Sequence, residues 1–123
     1  MKTLGFFIAT FTIVLTIGTS TTSCKKDKTQ IVLNDCPDTI SYSAKIAPLI
    51  NQSCATTGCH AAGFAAGGYN LEGHANVSAN AAIILSVIKH DSGVVPMPIG
   101  ASKLADSLIQ QVQCWINQGQ LNN

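Results

Sequence analysis

Arginine is absent from this sequence. Its seven basic side chains are all lysine, they stand against six acidic ones, and the formal net charge is only +1. No dense field of one sign can form from so sparse a set, which excludes a basic surface for nucleic acid. Lys45, Lys89 and Lys103 read as solvated surface rather than a docking patch. Also missing is an apolar run long enough to span a bilayer: the longest, Leu4 to Gly18, is interrupted by threonine and falls short of the roughly 20 residues a spanning helix needs.

What the N-terminus does have is the layout of an export signal. Lys2 gives a positive start, the apolar run follows, and Thr19 to Ser23 is a small-residue tract before Cys24. Thr21-Thr22-Ser23-Cys24 resembles a bacterial lipoprotein signal, although Thr21 stands where that family usually has Leu. The resemblance implies cleavage before Cys24, lipid on that cysteine, and an exported protein anchored to a membrane on the periplasmic or cell-surface side; cleavage elsewhere would release a soluble exported protein. The expected organisation is therefore a signal peptide over 1–23, a polar tether over 24–34 with a reach of roughly 20 Å if flexible, and one domain over 35–123. A domain this small usually needs a staple or a cofactor as well as a core.

The densest chemistry lies in Cys54-Ala55-Thr56-Thr57-Gly58-Cys59-His60. Two thiols followed directly by histidine form the attachment signature of c-type haem, in which both sulfurs add to the vinyl groups and the histidine becomes an iron ligand. The usual gap between the thiols is two residues and here it is four. On a regular helix thiols at this spacing would diverge by about 140°, so the segment must leave helical geometry, and Gly58 supplies the freedom to do so.

Around the motif the periodicity predicts an all-α domain with three main helices and long intervening loops. Thr39 to Ser53 carries Ile40, Ile46, Leu49 and Ile50, with Ser43 as candidate N-cap and Pro48 leaving clean helix only after itself. Ala61 to Ala75 is glycine-rich and without period, a loop expected to wrap something, with Phe64, Tyr69 and Leu71 as its apolar contacts. Asn76 to Lys89 reads as one helix, capped by Asn76 or Ser78, with Ala79, Ile83, Ile84, Val87 and Ile88 on its apolar face. Asp106 to Gln118 reads as the last, with Gly119 as its stop.

Between these last two helices lies Val94-Val95-Pro96-Met97-Pro98-Ile99-Gly100. Met97 is the single methionine outside the signal, and two prolines hold it in extended backbone. A thioether on a stiff loop suits the sixth ligand of a haem iron opposite His60. His90, at the end of the middle helix, is the rival for that position.

On the last helix Leu108, Val112, Trp115 and Ile116 form an apolar stripe within about 100° of arc, and Cys114 falls roughly opposite it. A thiol on the outer face of a helix in an exported protein is expected to pair, and Cys36 is its natural partner. The cysteines are then all assigned: Cys24 to lipid, Cys54 and Cys59 to haem, Cys36 with Cys114 to a disulfide.

From about Thr39 to Gly119 this order of helix, thiols with His60, wrapping loop, middle helix, Pro96-Met97-Pro98 and terminal helix with Trp115 resembles a small mono-haem class I cytochrome c. It looks closest to lipid-anchored bacterial variants with an expanded thiol spacing. The resemblance implies a cytochrome c-like fold in which first and last helices cross beside haem c, His60 and Met97 as axial ligands, and electron transfer with redox partner proteins rather than an enzymatic reaction. Two other classes compete. One is a zinc module using Cys54, Cys59, His60 and either His74 or His90; the other is an exported structural domain with Cys54 bonded to Cys59. A catalytic cysteine lacks an acidic or amide orienter at recognisable spacing.

Overall fold

The computed structural model describes Cys36 and residues 38–123. The expected signal peptide, Cys24 and tether lie outside the described residues. Within them the fold is all-α, with no strand. A π-helical turn over Tyr42–Ile46 runs into α1 (Ala47–Ser53), a 3₁₀ turn spans Ala66–Gly68, and α2 (His74–Ala79), α3 (Ala81–Lys89) and α4 (Asp106–Asn117) follow. α4 packs against both the first helical turn and α3. No described helix is long and apolar enough to cross a membrane.

The first helix starts two residues earlier than the sequence predicts. Ser41, not Ser43, is the N-cap, its hydroxyl accepting from the Ala44 N–H at 3.2 Å. Pro48 is the second residue of α1, directly after the π-helical turn, so its missing N–H falls where the helical ladder changes register. The turn before it is widened, with the Ala47 N–H donating to the Tyr42 carbonyl. A π-type step of this kind lets the chain enter at the proline without a clash.

The middle helix is two helices, not one. In a regular helix the Asn76 carbonyl would accept from the Asn80 N–H, but here the Asn80 side-chain amide takes it at 2.8 Å. Side-chain competition of this sort breaks the ladder. Asn80 leaves helical angles (φ −110°, ψ 9°), and α3 restarts with the Ile84 N–H on the Asn80 carbonyl at 3.0 Å. The break preserves the phase of the buried stripe, which is Val77, Ala81, Ile84 and Ile88. Ala79, expected on that face, is exposed.

α4 ends where expected, with Gly119 at φ +88° just beyond it, but its buried face is rotated. Ile109, Val112, Cys114 and Trp115 are buried, while Leu108 and Ile116 are only partly so. Cys114 is therefore not on an outer face. The chain before the first helix lies over it: Cys36 is disulfide-bonded to Cys114 with Cα atoms 5.5 Å apart, and the Gln118 amide holds the same segment by accepting from the Ile40 N–H at 2.8 Å and donating to the Asp38 carbonyl at 2.7 Å. A helical wheel drawn for α4 alone omits this covering strap.

Trp115 is the centre of the core, with no exposed surface. Its indole N–H donates to the Leu121 carbonyl at 2.9 Å, so the buried ring leaves no polar atom unpaired. Tyr42 lies tilted and His74 edge-on beside it, with centroids 5.7 and 5.9 Å away. The segment after α4 binds this cluster together. His74 Nε2 donates to the Gln120 carbonyl at 2.7 Å, and Asn123 accepts from the Tyr42 and Ser43 N–H groups at the start of the first helix, each at 2.8 Å.

Candidate functional site

The segment from Cys54 to His60 is a looped turn, as its thiol spacing requires. α1 ends at Ser53, and Cys54 leaves helical angles at φ −130° while its N–H still bonds the Ile50 carbonyl at 2.8 Å. The Cys59 N–H then closes a tight turn onto the Thr56 carbonyl at 2.9 Å, with Gly58 at φ +86° in its third position. An L side chain would be strained there. Outside that turn, the His60 N–H reaches the Cys54 carbonyl at 3.1 Å. The extra residues are thus looped out, and the two ends of the motif are brought together.

The glycine-rich segment that follows folds back onto His60. The Leu71 N–H donates to the His60 carbonyl at 2.9 Å, and His60 Nδ1 lies 3.0 Å from the Tyr69 carbonyl. A carbonyl only accepts, so Nδ1 carries the proton, and in the neutral ring the lone pair is then on Nε2. This fixes both tautomer and ring orientation in the way a metal-binding histidine needs.

A cleft of about 340 Å³ opens beside this loop, within the range of cofactor sites. Cys54, Cys59, His60 and Met97 all line it, together with the apolar side chains of Leu71, Ile84, Val87 and Ile88. An adjoining hollow of about 70 Å³ shares His60 and Met97 with it. Residues far apart in the sequence thus meet around one apolar space. The donor set of two thiols, one imidazole with a free Nε2 and one thioether, on aliphatic walls, fits the covalent haem that the motif implies.

Met97 enters the cleft from a loop docked on the end of α3. Its N–H donates to the Val87 carbonyl at 3.1 Å, a last-turn acceptor that it shares with the His90 N–H. Its own carbonyl accepts from His90 Nε2 at 3.1 Å. His90 does not line the cleft, whereas Met97 does. With Nε2 committed to a carbonyl, His90 is poorly placed to be an iron ligand.

Other expected residues are distributed differently. Leu71 is buried at the cleft, Tyr69 reaches only the smaller hollow, and Phe64 is 58 % exposed and lines neither. Phe64 lies just before Ala65, whose φ is +39°, in a turn closed by the Phe64 and Ala65 N–H groups on the Ala61 carbonyl. His74 is spent in the Trp115 cluster. Among the described residues no group of three or more His, Cys, Asp and Glu is placed to hold a metal ion, so neither His74 nor His90 completes a zinc set. Cys54 and Cys59 are both free thiols, so the structural-disulfide alternative is not what the fold adopts.

Burial, and secondarily the neighbouring Cys59, push the Cys54 thiol up to about 11. A thiol held protonated at neutral pH is a poor nucleophile, which argues against a catalytic cysteine at this position. In chain made without haem, iodoacetamide at pH 8 should modify the exposed Cys59 first. Cys54 should react about tenfold more slowly than a free thiol, its smaller thiolate fraction being partly offset by higher intrinsic nucleophilicity. Peptide mass spectrometry over a time course measures this, and equal rates would show that Cys54 is not buried in the cleft wall.

Sequence reasoning found the cleft's four chemical groups but missed what holds them. The Tyr69 carbonyl and the Val87 carbonyl are backbone acceptors, which no side-chain pattern can announce. No family model, curated protein or solved structure matches this chain.

Proposed function

We propose that the chain is a class I cytochrome c-type electron carrier, holding haem c through Cys54 and Cys59 with His60 and Met97 as axial ligands. The observation that carries this reading is the convergence of those four side chains on one apolar cleft, with His60 Nδ1 already occupied. Bound there, the haem iron would supply one-electron exchange between its ferric and ferrous states. The chain's part is to fix two ligands, exclude water with Leu71, Ile84, Val87 and Ile88, and leave no coordination position for a substrate. That is the work of a carrier and not of an enzyme. In the same reading Cys24 carries lipid after export, placing the domain at a membrane, where it meets redox partner proteins.

Expression with haem-maturation machinery tests this. The protein should retain its chromophore on a denaturing gel, give a pyridine haemochrome spectrum, and gain the mass of about one haem. If the chromophore extracts fully into acidified organic solvent, attachment through Cys54 and Cys59 is wrong. Cys54→Ala with Cys59→Ala should abolish covalent retention without removing His60.

A further inference from the structure

The histidine that ends α3 has an arrangement that helix termination alone does not require. His90 takes the left-handed conformation, φ +61° and ψ 43°, and its backbone N–H satisfies the Ser86 and Val87 carbonyls. Glycine performs that task without strain. A histidine at a helix C-terminus ordinarily turns its ring to the helix's own last carbonyls or to solvent. Here the ring reaches forward across the loop to the carbonyl of Met97 at 3.1 Å. The same peptide unit's neighbour on the N-terminal side is also held, since the Met97 N–H bonds the Val87 carbonyl at 3.1 Å. Both backbone polar groups of the residue that presents the thioether are thus tied to the last turn of α3. Val87 and Ile88 from that turn line the cleft beside Met97.

We infer that His90 is a positioning residue for Met97, fastening its peptide to the end of α3 so that the thioether stays at the cleft wall. The inference rests on the reading of Met97 as an iron ligand, and it adds how the sixth position is kept closed. A loop that carries an exchangeable ligand is only as firm as its backbone attachment. Val94 and Pro98 flank Met97 as partly buried residues, while Val95 and Ile99 are 60 % and 71 % exposed. Apolar burial therefore does little to hold this loop, and the two hydrogen bonds at Met97 are its specific anchors.

The test compares the full chain with His90→Gly and His90→Gln. Glycine frees the left-handed position of strain but removes the ring; glutamine offers an amide donor near the place of Nε2. In haem-loaded protein, His90→Gly should raise imidazole affinity for the ferric iron by about fivefold, as expected for the loss of one hydrogen bond. The near-infrared thioether band should be displaced by imidazole at a correspondingly lower concentration. In haem-free chain, the Met97 amide should exchange with solvent deuterium faster by about the same factor. His90→Gln should return both quantities towards the parent values, which a purely helix-ending role would not produce. Unchanged imidazole affinity and Met97 exchange in His90→Gly would overturn the proposal. So would a parent without the thioether band that gains it on His90→Gly, because His90 would then be the ligand itself. If the parent binds no haem covalently, the proposed function fails, and the Met97 amide measurement on haem-free chain alone decides whether His90 fastens the loop.

Discussion

Met97→Ala should abolish the weak near-infrared thioether band of the oxidised, haem-loaded chain and open its iron to imidazole. The cleft places Met97 and His60 on shared walls in both hollows, and His90, the rival ligand, is engaged by the Met97 carbonyl outside them. An open sixth position present about 1 % of the time in the parent would become permanent, so imidazole affinity should rise about 100-fold. The midpoint potential should fall, because thioether ligation raises it. Fold stability should change far less, since Met97 is only partly buried. A titration followed in the visible region, with a spectrum before and after, measures the change. An untouched band in Met97→Ala would remove the residue from the site.

The second large effect belongs to the disulfide. Cys36 and Cys114 are separated by 78 positions and have Cα atoms 5.5 Å apart, within the range that needs no backbone distortion. Breaking a loop of that length should cost about 4 kcal/mol through the entropy of the unfolded chain. For a domain of this size, whose total stability is on the order of 5–15 kcal/mol, that loss should lower the melting temperature by roughly 15–30 °C. The Cys36→Ser, Cys114→Ser double variant also places a serine hydroxyl at a site only 3 % exposed, which adds to the loss. Covalent haem retention should persist, because neither residue lines the cleft. Urea unfolding read by tryptophan fluorescence gives the difference, and a loss below about 1 kcal/mol would mean that the strap is held by Gln118 rather than by the disulfide.

Legibility followed the range of the interactions involved. Cys54, Cys59, His60 and Met97 were readable because their chemistry is carried by side-chain type and local spacing, and the cleft collects them. Gly58 was readable for a similar reason, since a turn needing positive φ names its residue. Ser41 was not: it and Ser43 are both plausible caps, and the segment after α4 helps decide between them, with Asn123 accepting from the Ser41 hydroxyl at 2.9 Å and from the Ser43 N–H at 2.8 Å. The break at Asn80 was hidden because the apolar stripe stays in phase across it. Cys114 was correctly paired for an incorrect reason, since a wheel for one helix cannot show the strap that covers it. Phe64 misled in the opposite direction: an aromatic in a wrapping loop reads as a contact, but the turn at Ala61 carries it outward.

The residues after α4 also set an order on folding. Asn123 accepts from the Tyr42 N–H across 81 positions, and Cys36 waits for Cys114 across 78. The Ser41 cap of the first helix is local, but the Tyr42 and Ser43 N–H groups find their acceptors only after Asn123 has been synthesised. A chain threaded N-terminus first through a ribosome or a translocation pore therefore holds its opening helix incomplete until its final described residue emerges. Closure of the domain at this end therefore depends on contacts between the two ends of the described chain, even though its helices are built from neighbours.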